Sequence, residues 1–342
     1  MAKKKRHHYI PRFYLKRFSA DIDEKLIGLY NHKSDVFIEA ASLRHQAYEN
    51  FLYGEDDEVE NALADLEAHI GKMFYYWTVE KDFYPPPSNS NGLKVLQRFL
   101  IYQIHRTPRM GKELTDGVND AFAKILERFE PQAYEKFKGC RIENDNIVLL
   151  ALLNSTGKEH MLDYMECKFV VNLSELPLIT SDAPIILYNQ LMENAGQYIG
   201  ATGLAVKGLQ IFYPIHPRLL LCLFDPEIYE CDKASKNCTS TESVADIHQL
   251  NALQYINSDA QLFFNDMFSK DYFELLKEEY GDYRKIDRSK NKVLEIEGKK
   301  LMFIASEDPQ IDLNLSFFKT IVDAKHYKNE QAPLRHPSFY RK

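Results

Sequence analysis

Residues 167–189 read CKFVVNLSELPLITSDAPIILYN. Three apolar runs of strand length are separated by Ser, Glu and Asp; Ser and Asp favour turns because their side chains bond the neighbouring backbone. Two further runs, LQIFYPI (209–215) and RLLLCLF (218–224), continue the pattern. The stretch predicts a small sheet. Toward the N-terminus the period changes to that of helices. In DDEVENALADLEAHIGKMFYYW (56–77), Val59, Leu63, Leu66, Ile70, Met73, Phe74 and Trp77 recur at three- and four-residue intervals, with acids at the end that the helix dipole favours. YPPPSNSNG (84–92) is a loop, with Ser90 or Asn91 the cap of a helix running from Gly92 to about Arg106. Its stripe is Leu93, Leu96, Phe99, Leu100 and Gln103, and Thr107-Pro108 stops it. Further helices are expected over Lys112 to Phe129 and Asn146 to Asn154.

KLIGLYN (25–31) and DVFIEA (35–40) predict a β-hairpin from Lys25 to Ala40. Beyond the sheet, a helix is expected from Ser243 to Tyr255, then a strand AQLFF (260–264) and a helix near Tyr272 to Glu279. KVLEIEGKKLMFIAS (292–306) should form a hairpin turning at Glu297-Gly298. The expected class is α+β, a helical N-terminal half packed on a mixed or mainly antiparallel sheet. The expected organisation is a basic aromatic segment docking on the body (1–24), a hairpin plus helical region (25–160), a sheet-containing region (161–324) and a polar tail (325–342).

Composition excludes several classes. Hydrophobic residues make up 45% and charged residues 27% of 342, which sets aside disordered and collagen-like chains. The longest apolar runs are far short of the roughly 20 residues a membrane span needs, so no membrane partner is expected. Five scattered cysteines without a CxxC pair suit reduced thiols and a cytoplasmic location. The net charge is −7, yet the first eighteen residues hold Lys3, Lys4, Lys5, Arg6, Arg12, Lys16 and Arg17 and no acid. Such a head can meet phosphate, an anionic surface or the protein's own carboxylates.

Four segments carry chemistry. HHYIPRFYLKRF (7–18) combines the imidazoles of His7 and His8 with cations including Arg12 and aromatics including Tyr14, which supply proton carriers, phosphate partners and stacking faces. The competing reading is an aromatic anchor for the terminus. In LPLITSDAPIILYN, Ser181 and Asp182 place a hydroxyl and a carboxylate between apolar strands; an Asx or Ser turn explains them equally well. Gln103 and Arg106 continue an apolar helix stripe, so Arg106 should point inward and needs an anionic partner, Asp182, a helix acid or a ligand. Glu60 and Glu67 share a helix face and, with Asp182, could hold a hard divalent ion; a solvated face is the alternative. Glu49 and Asn251 are weaker candidates. No P-loop, dinucleotide, zincin, hydrolase-elbow or EF-hand motif occurs.

HHYIPRFYLKRF, AYENFLYG, QRFLIYQIHRTP, LITSDAPII, FYPIHPRLLLCL and HQLNALQYINSDAQLFF occur in that order. Together they resemble a bacterial family known as domain of unknown function 4238, whose members carry His-His-Tyr-Val-Pro, Arg-Thr-Pro and Thr-Ser-Asp-Asn-Pro phrases. The resemblance spans roughly residues 7 to 265. It places the family's recurrent polar residues on His7, His8, Glu49, Gln103, Arg106, Ser181, Asp182 and Asn251. Ala183 stands where those members carry Asn. No activity follows from it, but it implies that the head and the Ser-Asp turn share a site.

The expectation is a phosphodiester-cleaving enzyme, a nuclease of bacterial defence or toxin-like type. His7 or His8 would be acid or base, Asp182 would orient it or bind metal, and Arg106 would neutralise phosphate charge. Arg12, Tyr14, Gln103, Arg106, Ser181 and Asn251 would contact substrate. A metal-free version and a magnesium version using Glu60, Glu67 and Asp182 both fit. The alternative is a non-catalytic module binding nucleic acid or protein, and a small-molecule transferase remains open. The sequence leaves the oligomeric state open.

Overall fold

A computed structural model describes residues 6–54, 58–87, 90–196, 198–232, 237–285, 292–296, 299–303 and 307–327. The chain enters as strand β1 (Arg6–His8), turns at Pro11 into the short helix α1 (Arg12–Leu15) and forms the hairpin β2 (Leu26–Asn31) and β3 (Val36–Ser42). β4 (Tyr48–Asn50) pairs back antiparallel on β1. Helices α2 (Glu58–Thr78), α3 (Asn91–His105), α4 (Pro108–Phe129), α5 (Pro131–Phe137) and α6 (Ile147–Ser155) follow. Then come β5 (Glu166–Asn172), β6 (Thr180–Ser181), β7 (Ile186–Tyr188), α7 (Gln190–Ala195), β8 (Gln210–His216), β9 (Leu219–Phe224), β10 (Tyr229–Cys231) and β11 (Cys238–Thr241). Helix α8 (Val244–Asn257), strand β12 (Gln261–Phe264), helix α9 (Lys270–Tyr280), strands β13 (Lys292–Ile296) and β14 (Lys299–Phe303), and β15 (Phe318–Thr320) complete it. The class is α+β, with mixed sheets.

The caps show why the helices begin where they do. Ser90 accepts from the Leu93 N–H at 3.1 Å and opens α3. Thr107 accepts from the Met110 N–H at 3.3 Å, and Pro108 sits in the first turn, where no N–H is required. Thr107-Pro108 therefore ends α3 and also starts α4, which begins at Pro108 rather than at the expected Lys112. Leu63, Ile70, Phe74 and Trp77 of α2 and Leu93, Leu96, Phe99 and Leu100 of α3 are buried as their spacing predicts.

The central sheet has the order β11-β5-β9-β8-β7, with β11 parallel to β5 and the other neighbours antiparallel. Leu219, Leu221 and Leu223 of β9 face the core built with Phe74, Trp77 and Phe99. Leu220, Cys222 and Phe224 face a second core built with Ile247 and Leu250 of α8. Both faces are covered, which is why the run is apolar without alternation; each buried leucine contributes about 2 kcal/mol.

The Ser-Asp turn separates two sheets. β6 pairs with β12 in an antiparallel sheet of order β3-β2-β12-β6, whereas β7 belongs to the central sheet. The expected strand LPLIT shrinks to Thr180–Ser181, because the Asn251 side chain on α8 takes the backbone groups of Pro177 and Ile179. Lys3 to Lys5, Asp56, the Glu297-Gly298 turn and the tail beyond Tyr327 lie outside the described residues. Among those described, no helix is long and apolar enough to cross a membrane.

Candidate functional site

Strand alternation divides the histidine pair. β1 pairs with β4 so that His7 lies opposite Glu49 and His8 opposite Tyr48. His7 is 1% exposed, stacks on Tyr53 with ring centroids 5.4 Å apart and accepts from the Tyr53 backbone N–H at Nδ1, 3.2 Å away. It belongs to the frame. His8 is only partly buried and its Nε2, itself out of solvent, has no hydrogen-bond partner among the described residues. Burial lowers its pKa to about 4, with Arg12 next; a hydrogen bond with the Arg44 backbone opposes them, and Arg6 and Arg106 add smaller lowering effects. The imidazole is neutral at pH 7 and lies in the field of these three cations. Arg6 and Arg12 are exposed. Arg6 lies over the Tyr48 ring at 4.8 Å and reaches the His45 Nδ1 at 3.5 Å.

The rest of the head anchors it. Ile10, Tyr14, Leu15 and Phe18 are 0% exposed. Tyr14, expected to contact substrate, donates to the Pro214 carbonyl at 2.7 Å, bonds Thr180 Oγ1 at 2.5 Å and stacks on Tyr213, so it offers no surface to a ligand.

Arg106 caps the end of α3 and is 1% exposed. Its Nη1 donates to Glu67 Oε1 at 2.6 Å, and its Nε donates to Gln103 Oε1 at 2.8 Å. Gln103 in turn donates through Nε2 to the Tyr9 carbonyl at 2.9 Å. Burial works against the Arg106 charge, but Glu67 and Tyr53 outweigh it and hold the pKa above the ordinary value. The partner of Arg106 is thus a helix acid, not Asp182. Glu67 is committed to that pair, and burial, with smaller effects of Glu60 and Glu67, raises the Tyr53 pKa. No three His, Cys, Asp or Glu side chains converge in a metal-binding group among the described residues, so Glu60, Glu67 and Asp182 are not brought together as a magnesium cage.

Asp182 is 4% exposed and ties down the turn before β12. Its Oδ1 accepts from Asp259 N at 2.7 Å and its Oδ2 from Ala260 N at 2.7 Å and Gln261 N at 2.8 Å. Burial pushes its pKa up to about 6, against these three N–H donors. Ser181 donates to Gln254 Oε1 at 2.8 Å. Asn251, 0% exposed, accepts from Ile179 N and donates to the Pro177 carbonyl, both at 2.9 Å. Gln254 donates to the Pro184 carbonyl and Asn257 to that of Ala183. Asn251, Gln254 and Asn257, at every third position of α8, form an amide ladder that holds residues 177–185 against the helix. Sequence reasoning found its first rung and missed the other two.

Tyr9 connects the two halves. Its carbonyl receives Gln103, and its hydroxyl lies in the field of Asp182, Glu49 and Asp259, which together with burial raise its pKa. The head, the Arg106 pair and the Ser-Asp turn are neighbours, as the sequence suggested. They meet through two aromatics of the anchoring head, Tyr9, whose carbonyl receives Gln103, and Tyr14, whose hydroxyl bonds Thr180 Oγ1, and no hydrogen bond joins His8 to Asp182 or Asp182 to Arg106 among the described residues. Residues 6–268 match the model of a family described as "Protein of unknown function (DUF4238)". No curated protein and no solved structure matches the chain.

Proposed function

The chain belongs to the DUF4238 family, whose function is unknown, and from that premise we propose that it is a phosphodiester-cleaving enzyme that holds phosphate on the Arg6–His8–Arg12 surface. One observation carries the reading: a neutral imidazole whose buried Nε2 has no hydrogen-bond partner among the described residues lies in the field of Arg12, Arg6 and Arg106. A phosphate bound there offsets the cations and moves the His8 pKa back toward neutrality, so the imidazole becomes a proton acceptor when substrate arrives. Arg6 and Arg12 are the groups that contact phosphate. Arg106, paired with Glu67, acts from behind through its field. His7, Gln103, Ser181, Asp182 and Asn251 hold the frame.

The exposed guanidinium groups also favour a second reading, a module that binds nucleic acid without cleaving it. The test is cleavage of fluorescent RNA and single-stranded DNA oligonucleotides, with and without Mg²⁺, alongside anisotropy binding at rising salt. His8→Ala should abolish turnover and leave binding within about threefold, whereas Arg6→Gln/Arg12→Gln should weaken binding and flatten its salt dependence. Salt-dependent binding without turnover in the unaltered protein selects the module. Neither binding nor turnover discards phosphate as the ligand.

A further inference from the structure

A second imidazole joins the head from another part of the chain. Strand alternation puts Arg6 and His8 on the same face of β1, about 6.7 Å apart along the strand, while His7 turns to the core. The chain returns beside them in the 3₁₀ turn Leu43–His45, just before β4, where Arg44 and His45 are exposed. The Arg44 backbone hydrogen-bonds the His8 ring. Arg6 Nη1 donates to His45 Nδ1 at 3.5 Å, and the same guanidinium lies 4.8 Å over the Tyr48 ring. The His8 ring meets that tyrosine at 5.7 Å. Arg6 and His8 therefore share Tyr48, and His45 adjoins Arg6.

The two rings are prepared for opposite tasks. The Nε2 of His8, without a hydrogen-bond partner among the described residues, is the nitrogen left to take a proton. Arg6 can only donate, so Nδ1 of His45 is the acceptor and the His45 ring proton sits on Nε2. A phosphate that draws Arg6 to itself releases Nδ1, and its negative charge favours the imidazolium form of His45. One imidazole that takes a proton and one that gives a proton, with a guanidinium between them for the phosphate, suit acid–base cleavage of a phosphodiester that carries its own nucleophile.

We propose that His45 is the general acid of the cleavage and that the substrate is RNA, an inference that rests on the phosphodiesterase reading above. His8 takes the proton of a ribose 2′-hydroxyl, and the 2′-oxygen attacks the adjacent phosphorus. The bond from phosphorus to the 5′-oxygen breaks, and the His45 proton passes to that oxygen. The products are a 2′,3′-cyclic phosphate and a 5′-hydroxyl. A mixed-sequence RNA oligonucleotide incubated with the full chain locates the cleavage site, and mass spectrometry at the earliest times should find the cyclic phosphate. A single 2′-deoxy residue on the 5′ side of that site should remove cleavage and leave binding within about threefold. His45→Ala should slow cleavage about 10³-fold. With a bridging 5′-sulfur at the same position, a leaving group that needs no proton, that loss should shrink below about tenfold, which damage to the fold would not do. His8→Ala should lose both substrates alike. Cleavage past the 2′-deoxy residue, absence of the cyclic phosphate, an equal His45→Ala loss on the oxygen and sulfur substrates, or cleavage of DNA alone overturns the inference and leaves the phosphodiesterase reading standing. Cleavage of neither nucleic acid overturns both.

Discussion

The Ser-Asp turn and the basic head contain the same kinds of residues and use them in opposite ways. At the turn, Asp182, Ser181, Asn251 and Gln254 are buried and matched donor to acceptor with the backbone of residues 177–185 and 259–261. At the head, His8 keeps a buried nitrogen without a hydrogen-bond partner among the described residues, and Arg6 and Arg12 are exposed. The fold satisfies the first set completely and leaves the second set incomplete. Polar residue type marks both regions; the two differ in how far their hydrogen-bonding capacity is used.

Substitutions at the turn give the sharpest test of that contrast. Asp182→Ala leaves three partly buried backbone N–H groups without their acceptor and should destabilise the protein by about 3 kcal/mol, read as a lower urea midpoint. Any phosphodiester turnover should persist per folded molecule, because Asp182 is occupied elsewhere. A loss of turnover with the urea midpoint unchanged would move Asp182 from the frame into the chemistry and break the comparison. Asn251→Ala removes one rung of the ladder and strands the Ile179 N–H and the Pro177 carbonyl, for an expected loss of about 2 kcal/mol by the same measurement. A change below about 0.5 kcal/mol would mean that the amide ladder does not hold the turn.

The same contrast explains what the sequence made legible. Helix stripes such as Leu93, Leu96, Phe99, Leu100 and Gln103 were readable because one helix face packs on one core. The unbroken apolar run of β9 was readable because both its faces are covered. The division of LPLIT and APIILYN between two sheets was not, since their apolar patterns are alike and the deciding groups sit on α8, far along the chain. At the site, the neighbourhood of head, Arg106 and Ser-Asp turn was readable, and the pairings were not. Which of two adjacent imidazoles faces inward depends on the register of β1 against β4, and whether Arg106 meets Glu67 or Asp182 depends on where α2 crosses α3. Local spacing encodes neither.

The smallest expected effect lies in the acid range and separates the two regions by sign. His8 titrates near pH 4 in the fold and near 6.5 when unfolded, and burial lowers His216 to about 4 and His32 to about 3. Between pH 6.5 and 4 the unfolded chain therefore binds more protons at these positions, so stability present above pH 6.5 declines as the pH falls. Asp182 acts in the other direction: its pKa rises from 3.8 to about 6 on folding, the native state holds that proton more tightly, and its contribution to stability falls as pH rises through this interval. His105 is lowered by burial like His8, His216 and His32, Glu49 and Glu193 are raised by burial like Asp182, and Asp21, Asp35 and Glu159 are lowered; with the large shifts mainly on the imidazoles, the melting temperature should climb from pH 4 to pH 6.5. His8→Gln should flatten that climb, and Asp182→Asn should steepen it, each measured against the unaltered protein across the interval. An unchanged slope in His8→Gln would mean that the imidazole carries its charge without penalty, and that the head is as fully satisfied as the turn.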